Sequence, residues 1–300
     1  MSEKIGFIGI GLMGHAMCRR LIDKGHDLTI IAHRNRARID DLVGLGATEV
    51  TSYKALAAAC DYVFLCVTTS DAVESAMLGD EGVIAGMKPG TRIVDYGTSE
   101  PGSTKRLGAE VRAAGGHYMD APLGRTPSHA LDGQLNIMAG GSAEDYAAMQ
   151  PLFDQLGENV FHVGELAAGH TIKLINNCFA MTTAVGMCEA FGMASAAGVD
   201  KQTLYDVMAA GPLRSGMMDF VKANAIDGDP DKLAFSVSNA RKDVNYAIQM
   251  CKELGISPRV GPGALKLIEE AVADGFGDRH VPQLSEYVEA RFSEKIKNET

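Results

Sequence analysis

The segment Gly9-Ile10-Gly11-Leu12-Met13-Gly14 constrains the fold of this chain more than any other. It follows a short apolar run, residues 5–8, that is typical of a β-strand, and it opens a stretch of helical periodicity that ends at Gly25. Glycines at this spacing permit a tight turn, let the backbone approach a ligand, and let the helix pack closely on the strand. The segment therefore predicts the start of a βαβ unit.

A helix that begins at such a turn points unpaired N–H groups at whatever binds there, which favours a phosphate. We therefore expect the pyrophosphate of a dinucleotide at this turn. The residues predicted to contact the cofactor here are Gly9, Gly11, Leu12, Met13 and Gly14, together with Val67 and Thr68 at the end of a later predicted strand.

The residues after the second predicted strand bear on the choice between NAD and NADP. An NAD enzyme of this kind carries Asp or Glu about 20 residues beyond the glycines, on the ribose hydroxyl. Residues 32–36 read Ala-His-Arg-Asn-Arg and contain no acid. Without a carboxylate to repel it, a 2′-phosphate fits beside His33 and the planar guanidinium of Arg34. NADP is thus expected, with NAD as the less favoured cofactor; the alternative is that Arg34 and Arg36 are solvated loop charges.

The first half of the chain alternates short β-branched runs with helical stretches. The predicted strands are residues 5–8, 28–31, 62–67, 92–95 and 135–139. The first two predicted helices are residues 12–24 and 38–45. Strands that are apolar on both faces and separated by helices indicate a parallel sheet covered on both sides. Residues 169–197 then predict one long buried helix, and further helices follow at 201–210, 238–254, 263–274 and 281–297. The expected architecture is a Rossmann-type doubly wound α/β domain over residues 1–164 and an all-α domain over residues 165–300, which begins with a long interdomain helix.

Length and charge narrow the possible functions. Three hundred residues favour two domains, and a net charge of −10 disfavours binding to nucleic acid. No apolar run reaches the roughly 20 residues that cross a bilayer, and no signal peptide is recognisable. The six cysteines form no CxxC pair and no metal spacing with histidine, so free thiols in the cytoplasm and no metal are expected.

Lys173 and Asn177 stand four residues apart in the long predicted helix and so share one face of it. A lysine beside an amide in an apolar helix is costly to bury without a purpose. A positioned ammonium can donate a proton to a carbonyl oxygen on which negative charge develops. The alternative is a lysine that extends to solvent beside a structural Asn.

At this point the chain resembles the β-hydroxyacid dehydrogenase family. The family pattern GxxGxGxxxKxxxN is matched by Gly164, Gly169, Lys173 and Asn177, with Ala167 in place of the middle glycine. Lys242-Asp243 after Phe235, and Met13 within the glycine turn, also follow the family. The resemblance implies hydride transfer between a nicotinamide and a small hydroxyacid or semialdehyde. It further implies Lys173 as general acid–base, Asn177 as the residue that orients the lysine or substrate, and Phe235 and Lys242 near the nicotinamide.

The loop after Met119-Asp120-Ala121-Pro122 departs from most of the family. It reads Leu123-Gly124-Arg125-Thr126, where a Ser-Gly-Gly sequence is usual, and this version resembles the sulfolactaldehyde reductase branch. A guanidinium can bind a carboxylate or sulfonate with two hydrogen bonds. Gly124, Arg125, Thr126 and Asn177 are therefore the predicted substrate-binding residues, and the substrate is expected to be small and anionic. Alternatively, Arg125 pairs with a neighbouring carboxylate and only shapes the loop.

Two other functions remain open at this stage. An imine reductase would share the two-domain plan, but enzymes of that kind resemble this family with Asp or Tyr at position 173. A non-catalytic NADP-binding module would keep the glycine turn without needing Lys173 or Arg125. The long apolar helix predicts burial against a second subunit, hence a homodimer or homotetramer.

Overall fold

The computed structural model describes residues 2–32 and 36–299, with side chains as far as residue 293. His33 and Arg34, predicted to contact the cofactor, lie outside the described residues. The chain divides into two compact units, Met1–Lys173 and Leu174–Thr300. The units divide after residue 173, whereas the predicted domain boundary lies after residue 164, at the end of the last strand.

The first unit alternates strands and helices. In chain order its elements are β1 (Lys4–Ile8), α1 (Leu12–Asp23), β2 (Asp27–Ile31), α2 (Arg36–Gly44), β3 (Thr48–Val50), α3 (Tyr53–Ala59), β4 (Tyr62–Leu65), α4 (Ser70–Met77), α5 (Val83–Gly86), β5 (Arg92–Asp95), α6 (Pro101–Ala113), β6 (His117–Asp120), β7 (Leu123–Gly124), α7 (Pro127–Asp132), β8 (Leu135–Gly140), α8 (Ala143–Leu156) and β9 (Gly157–Gly164).

These strands form one nine-stranded sheet in the order β3-β2-β1-β4-β5-β6-β8-β7, with β9 paired to β8. Every pair from β3 to β6 is parallel, so the sheet is mostly parallel, as predicted. The antiparallel pairs of β8 with β6 and β7 are a departure that the sequence pattern did not indicate. The doubly wound arrangement places the carboxyl ends of β1, β4, β5 and β6 at one edge.

Both faces of the sheet are buried. Phe64 on β4 belongs to one apolar cluster, and its neighbours Val63 and Leu65 belong to another. Because successive strand residues point to opposite faces, the two clusters lie on the two sides of the sheet. Phe64 also meets Phe7 and Tyr96 edge to face. This packing explains why the strands read as apolar runs without alternation.

A long helix, α9 (Ala168–Ala196), begins in the first unit and continues into the second. The second unit further contains α10 (Lys201–Ala209), α11 (Gly216–Ala225), α12 (Val237–Glu253), α13 (Gly261–Ala271) and α14 (Leu284–Glu299). Its described residues hold no strand, only a single bridge between Ser236 and His280. The unit is thus all-α, as predicted, although α11 was not. No described helix has the length and apolarity that a bilayer crossing needs.

Helix α9 is not buried on all sides. Met181, Ala184, Cys188 and Phe191 enter the core of the second unit. The other side exposes apolar groups, among them Ile175 at 56% and Phe179 at 74% of their surface. Within one chain, therefore, only one side of α9 is buried. Burial of the other side against a second subunit stays a prediction.

Candidate cofactor and active site

The glycine turn between β1 and α1 has the geometry that its spacing predicts. Gly9 has a φ of +100°, and a Cβ there would lie 2.4 Å from the backbone oxygen of Cys66. At Gly14 a Cβ would lie 2.0 Å from the oxygen of Gly9, so the helix could not pack on the turn. Gly11 is different, since nothing lies within 4 Å of its absent side chain. The turn is therefore tight on the protein side and open on the other.

The open side exposes the N-terminus of α1. Gly11 is the N-cap and provides no side-chain cap, and the first turn contains no acidic residue. The first N–H groups of a helix have no partner within it, and they carry partial positive charge. These features fit a bound pyrophosphate. Val67 contacts the turn, because its Cγ1 is 2.9 Å from the Cβ position of Gly9, and Thr68 beside it is exposed. Leu12 is 59% exposed and Met13 packs on the core.

Arg36 starts α2 and is paired within the unit. Its guanidinium donates to both oxygens of Glu49 at 2.6 Å and to Asp40 at 2.7 Å. The hydrogen bonds from Arg36 lower the pKa of the Glu49 carboxyl. Arg36 therefore has acidic partners in this structure, which agrees with its interpretation as a surface charge.

The N-terminus of α9 is closed by a buried carboxylate. Asp120, at the end of β6, accepts hydrogen bonds at 2.7 Å from the backbone N–H groups of Ala167 and His170. Ala167, which replaces a family glycine, has a φ of +79° and is buried. Gly169 passes close to the sheet, since a Cβ there would lie 2.2 Å from the oxygen of Met138. Asp120 and the close approach fix where the helix begins.

A second buried carboxylate lies beside the first. Asp95 on β5 is the register partner of Asp120 and accepts from the N–H of Gly97 and the hydroxyl of Ser99, both at 2.8 Å. The wholly buried His170 ring lies 3.7 Å from Asp95 and 3.8 Å from Asp120. Burial raises the pKa of Asp120, and the nearby His170 opposes the rise.

His170 is also tied to α6. The hydroxyl of Thr104 donates to the backbone oxygen of Glu100 and lies 2.8 Å from Nδ1 of His170. Nε2 of His170 has no hydrogen-bond partner among the described residues. Sequence reasoning missed the approach of Asp95 to His170; the signal available was the Asp that ends the predicted strand 92–95.

Lys173 reaches back to the predicted substrate loop. Its Nζ donates to the backbone oxygen of Leu123 at 2.7 Å. Leu123 and Gly124 form β7, which pairs with β8 through Ile137 and Asn136. The ammonium is thus held two residues before Arg125.

Arg125 is paired with a neighbouring carboxylate, the alternative that the sequence left open. Its Nη1 donates to the backbone oxygen of Gln134 at 2.7 Å and to the carboxylate of Glu158 on β9. Its φ is +77°, which is unusual for a residue with a side chain. The hydroxyl of Thr126 lies within hydrogen-bond distance of Ser128 and His129. Glu158 carried no signal in the sequence, because its strand, β9, was not predicted.

In the second unit the carboxylate of Asp243 contacts both Asn177 and Lys242. Nδ2 of Asn177 donates to Oδ2 of the buried Asp243 at 2.6 Å. Nζ of Lys242 lies 2.9 Å from the other carboxylate oxygen and over the ring of Tyr246. Phe235, half-buried, packs on the apolar core. The predicted residues of this unit therefore form an amide–carboxylate–ammonium chain, with Phe235 outside it.

A doubly wound sheet with an open glycine turn, joined to an all-α unit through a helix that carries a lysine, defines an NAD(P)-dependent oxidoreductase. Two family models agree. One, described as the NAD binding domain of 6-phosphogluconate dehydrogenase, matches residues 4–164. The other, described as NAD-binding of NADP-dependent 3-hydroxyisobutyrate dehydrogenase, matches residues 167–288. The chain belongs to the β-hydroxyacid dehydrogenase family.

Named relatives support this placement. The chain is 32% identical to 2-hydroxy-3-oxopropionate reductase of Escherichia coli (strain K12), over 85% of this chain and 86% of that protein. It is 27% identical to 3-sulfolactaldehyde reductase of the same organism, over 98% and 99%. A solved structure of Mycobacterium tuberculosis 3-hydroxyisobutyrate dehydrogenase with L-serine has the same fold, with a TM-score of 0.85, 22% identity, and coverage of 96% and 99%.

Proposed function

We propose that this enzyme uses NADPH to reduce a small aldehyde with one anionic end, and that Lys173 is its acid–base residue. The observation that carries the proposal is the hydrogen bond from Lys173 to the oxygen of Leu123. Consecutive Cα atoms are about 3.8 Å apart, so Leu123 and Arg125 lie within about 8 Å of each other. A three- or four-carbon substrate can thus meet the ammonium at its carbonyl and the guanidinium at its anionic end.

Each candidate residue has a separate role in the proposed reduction. The bound nicotinamide supplies the hydride. Lys173 donates a proton to the carbonyl oxygen as negative charge grows on it, and accepts one in the reverse direction. Asn177, whose amide is held by Asp243, orients the lysine or the substrate. The loop that binds the anionic end of the substrate consists of Gly124, Arg125 and Thr126. The residues that contact the nicotinamide are Phe235 and Lys242.

Replacement of Lys173 tests the chemical role. In Lys173→Ala we expect kcat to fall by about 10²- to 10⁴-fold, with NADPH affinity retained, because general acid–base catalysis supplies that much. Lys24→Ala, at the exposed end of α1, is the matched control. Near-normal turnover by Lys173→Ala refutes the assignment.

The cofactor preference rests on Arg34 and His33, whose sequence context lacks an acid. We expect Arg34→Ala to raise KM for NADPH and leave KM for NADH unchanged, because only NADPH carries the 2′-phosphate. Arg36→Ala, which removes a guanidinium already paired with Glu49, is the control. An unchanged preference in Arg34→Ala contradicts the NADP proposal and leaves NAD as the cofactor.

The substrate is sought with a panel of tartronate semialdehyde, succinate semialdehyde, methylmalonate semialdehyde and sulfolactaldehyde, with a cyclic imine as control. Tartronate semialdehyde and sulfolactaldehyde correspond to the names of two relatives. Strong preference for one anionic aldehyde, lost in Arg125→Ala, supports the proposal. Turnover of the imine alone favours an imine reductase, and binding without turnover favours a non-catalytic NADP-binding module.

We further propose a cytoplasmic homodimer or homotetramer. In the second unit α9, α12 and the segment before α13 surround an apolar groove of about 380 Å³, which includes Phe179 and Val260, exposed at 74% and 70%. A second copy of the chain would cover this surface. All six cysteines are free, as in a reducing compartment. Light scattering should give a dimer or tetramer that Phe179→Asp weakens; a monomer contradicts the proposal.

A further inference from the structure

Arg125 is held by the protein through a single nitrogen. Both N–H groups of Nη1 have acceptors, the backbone oxygen of Gln134 and the carboxylate of Glu158. A guanidinium has five N–H donors in one plane, so three remain on Nε and Nη2. These three have no acceptor among the described residues, and the side chain is 29% exposed. The Nε–Nη2 edge is therefore open.

An open guanidinium edge is suited to an oxyanion, since two parallel N–H groups match two oxygens of a carboxylate or sulfonate. The direction of this edge depends on the backbone as well as on Nη1. A left-handed φ is strained for a residue with a side chain, so the surrounding structure must impose the φ of +77° at Arg125. Gly124, paired with Asn136 just before, supplies that constraint.

We propose that Glu158 is a positioning residue for substrate recognition. Together with the backbone oxygen of Gln134 it holds Nη1, so that the Nε–Nη2 edge of Arg125 receives the carboxylate or sulfonate of the substrate. The inference rests on the proposed function, in which Arg125 binds the anion. The opposite role, in which Glu158 competes with the substrate, does not fit the geometry, because a competitor would occupy the edge that Glu158 leaves open.

Two replacements of Glu158 separate these roles. In Glu158→Ala, KM for tartronate semialdehyde and sulfolactaldehyde should rise by about three- to tenfold, as for loss of one hydrogen bond, with kcat unchanged. KM for uncharged glyceraldehyde should not change. Glu158→Gln should stay near the wild-type KM, because its amide oxygen still accepts from Nη1. Asp154→Asn, an exposed acid on α8 without a described contact to Arg125, controls for the lost charge. The two anionic probes show whether a carboxylate or a sulfonate is preferred.

A lower KM in both Glu158 variants overturns the proposal in favour of competition, and an unchanged KM in Glu158→Ala overturns it outright. Arg125→Ala shows which claim has failed. If it raises KM for the anionic aldehydes while Glu158→Ala does not, only the positioning role is wrong. If Arg125→Ala has no effect either, the proposed anion site is wrong as well. Should turnover be too slow, calorimetric titration with glycerate, the reduced form of tartronate semialdehyde, gives the same comparison.

Discussion

Two helices of the first unit begin at the same edge of the sheet but treat their N-termini in opposite ways. At α1 the cap is Gly11, without a side chain, and no acid lies in the first turn. At α9 the buried carboxylate of Asp120 takes the N–H groups of Ala167 and His170. One N-terminus is open to an external anion, whereas the other is satisfied by the protein itself.

The difference indicates what each helix is for. A helix that must bind and release a charged ligand leaves its positive end unpaired, and the ligand completes it. A helix that must hold a reactive side chain in place is better fixed permanently. Lys173 lies about one turn beyond the N-terminus that Asp120 fixes. Its Nζ donates to the backbone oxygen of Leu123, in the segment that follows Asp120.

The largest effect is expected when the N-terminus of α9 loses the carboxylate of Asp120. Asp120→Asn retains one acceptor oxygen and directs an NH₂ group at the other N–H, so we expect a loss of about 3 kcal/mol in unfolding free energy. Chemical denaturation followed by circular dichroism measures it. Asp200→Asn, at the exposed cap of α10, is the control and should lose much less. Equal losses would show that the burial of Asp120 does not matter.

A second variant places a capping carboxylate at the open N-terminus of α1. Gly11→Asp places a carboxylate where nothing lies within 4 Å, so the folded protein should keep its stability. Affinity for NADPH should fall about tenfold or more, because the new carboxylate both occupies the N–H groups and repels phosphate. Gly11→Asn, a neutral cap of similar size, should weaken binding less. Unchanged affinity in Gly11→Asp, by fluorescence titration, removes the cofactor from this turn.

A smaller effect is expected at the left-handed residue before α9. Ala167→Gly should stabilise the protein by about 0.5–1 kcal/mol, because glycine adopts this φ without strain although it loses more entropy on folding. Ala168→Gly, at the first helical position, should instead destabilise it by a similar amount. Thermal unfolding of both variants gives the sign. Destabilisation by Ala167→Gly would mean that the methyl group contributes more by packing than it costs by strain.

The smallest effect is a contrast in pH dependence between two carboxylates that cap helices. The pKa of Asp120 is raised above its ordinary value of 3.8 by burial, so its contribution to stability is complete at low pH and declines as pH rises through the raised pKa. The pKa of Asp200 is lowered by the N–H of Thr203, so its contribution is lost as pH falls through the lowered pKa.

The quantity to measure is the free energy of unfolding of the wild type minus that of each Asn variant. It should increase for Asp120→Asn, and decrease for Asp200→Asn, as the pH is taken from neutral toward and below 3.8. Denaturation curves at several pH values measure both. Slopes of the same sign would contradict the contrast.

Much of the fold was predictable because its signals are local. β5 was predicted at its observed bounds, and α1 was placed within one residue, because apolar runs and glycine stops mark them. β4 was expected to reach Val67 but ends at Leu65. Cys66 still donates its N–H to the backbone oxygen of Ile8, and the Val67 side chain packs against Gly9. α2 begins at Arg36 rather than at residue 38, because Arg36 pairs with Asp40 one turn on.

What the sequence could not indicate depends on residues distant along the chain. The two-residue strand β7 is too short to have a period, so the antiparallel edge was missed. The contact of Arg125 with Glu158 joins residues separated by 33 positions. Lys173, Asn177 and Arg125 were singled out from the sequence as candidate site residues, and their roles stay predictions. No spacing could show that a backbone carbonyl would receive the lysine.

The interior position of β1 has a consequence for synthesis on the ribosome. β1 lies between β2 and β4 in the sheet, and Gly9 packs against the backbone oxygen of Cys66, just beyond β4. A nascent chain that has not yet exposed Cys66 outside the exit tunnel therefore contains the whole glycine turn without the surface that shapes it. The cofactor can assist folding only after that point, so its effect on co-translational folding should begin once the fourth strand has emerged.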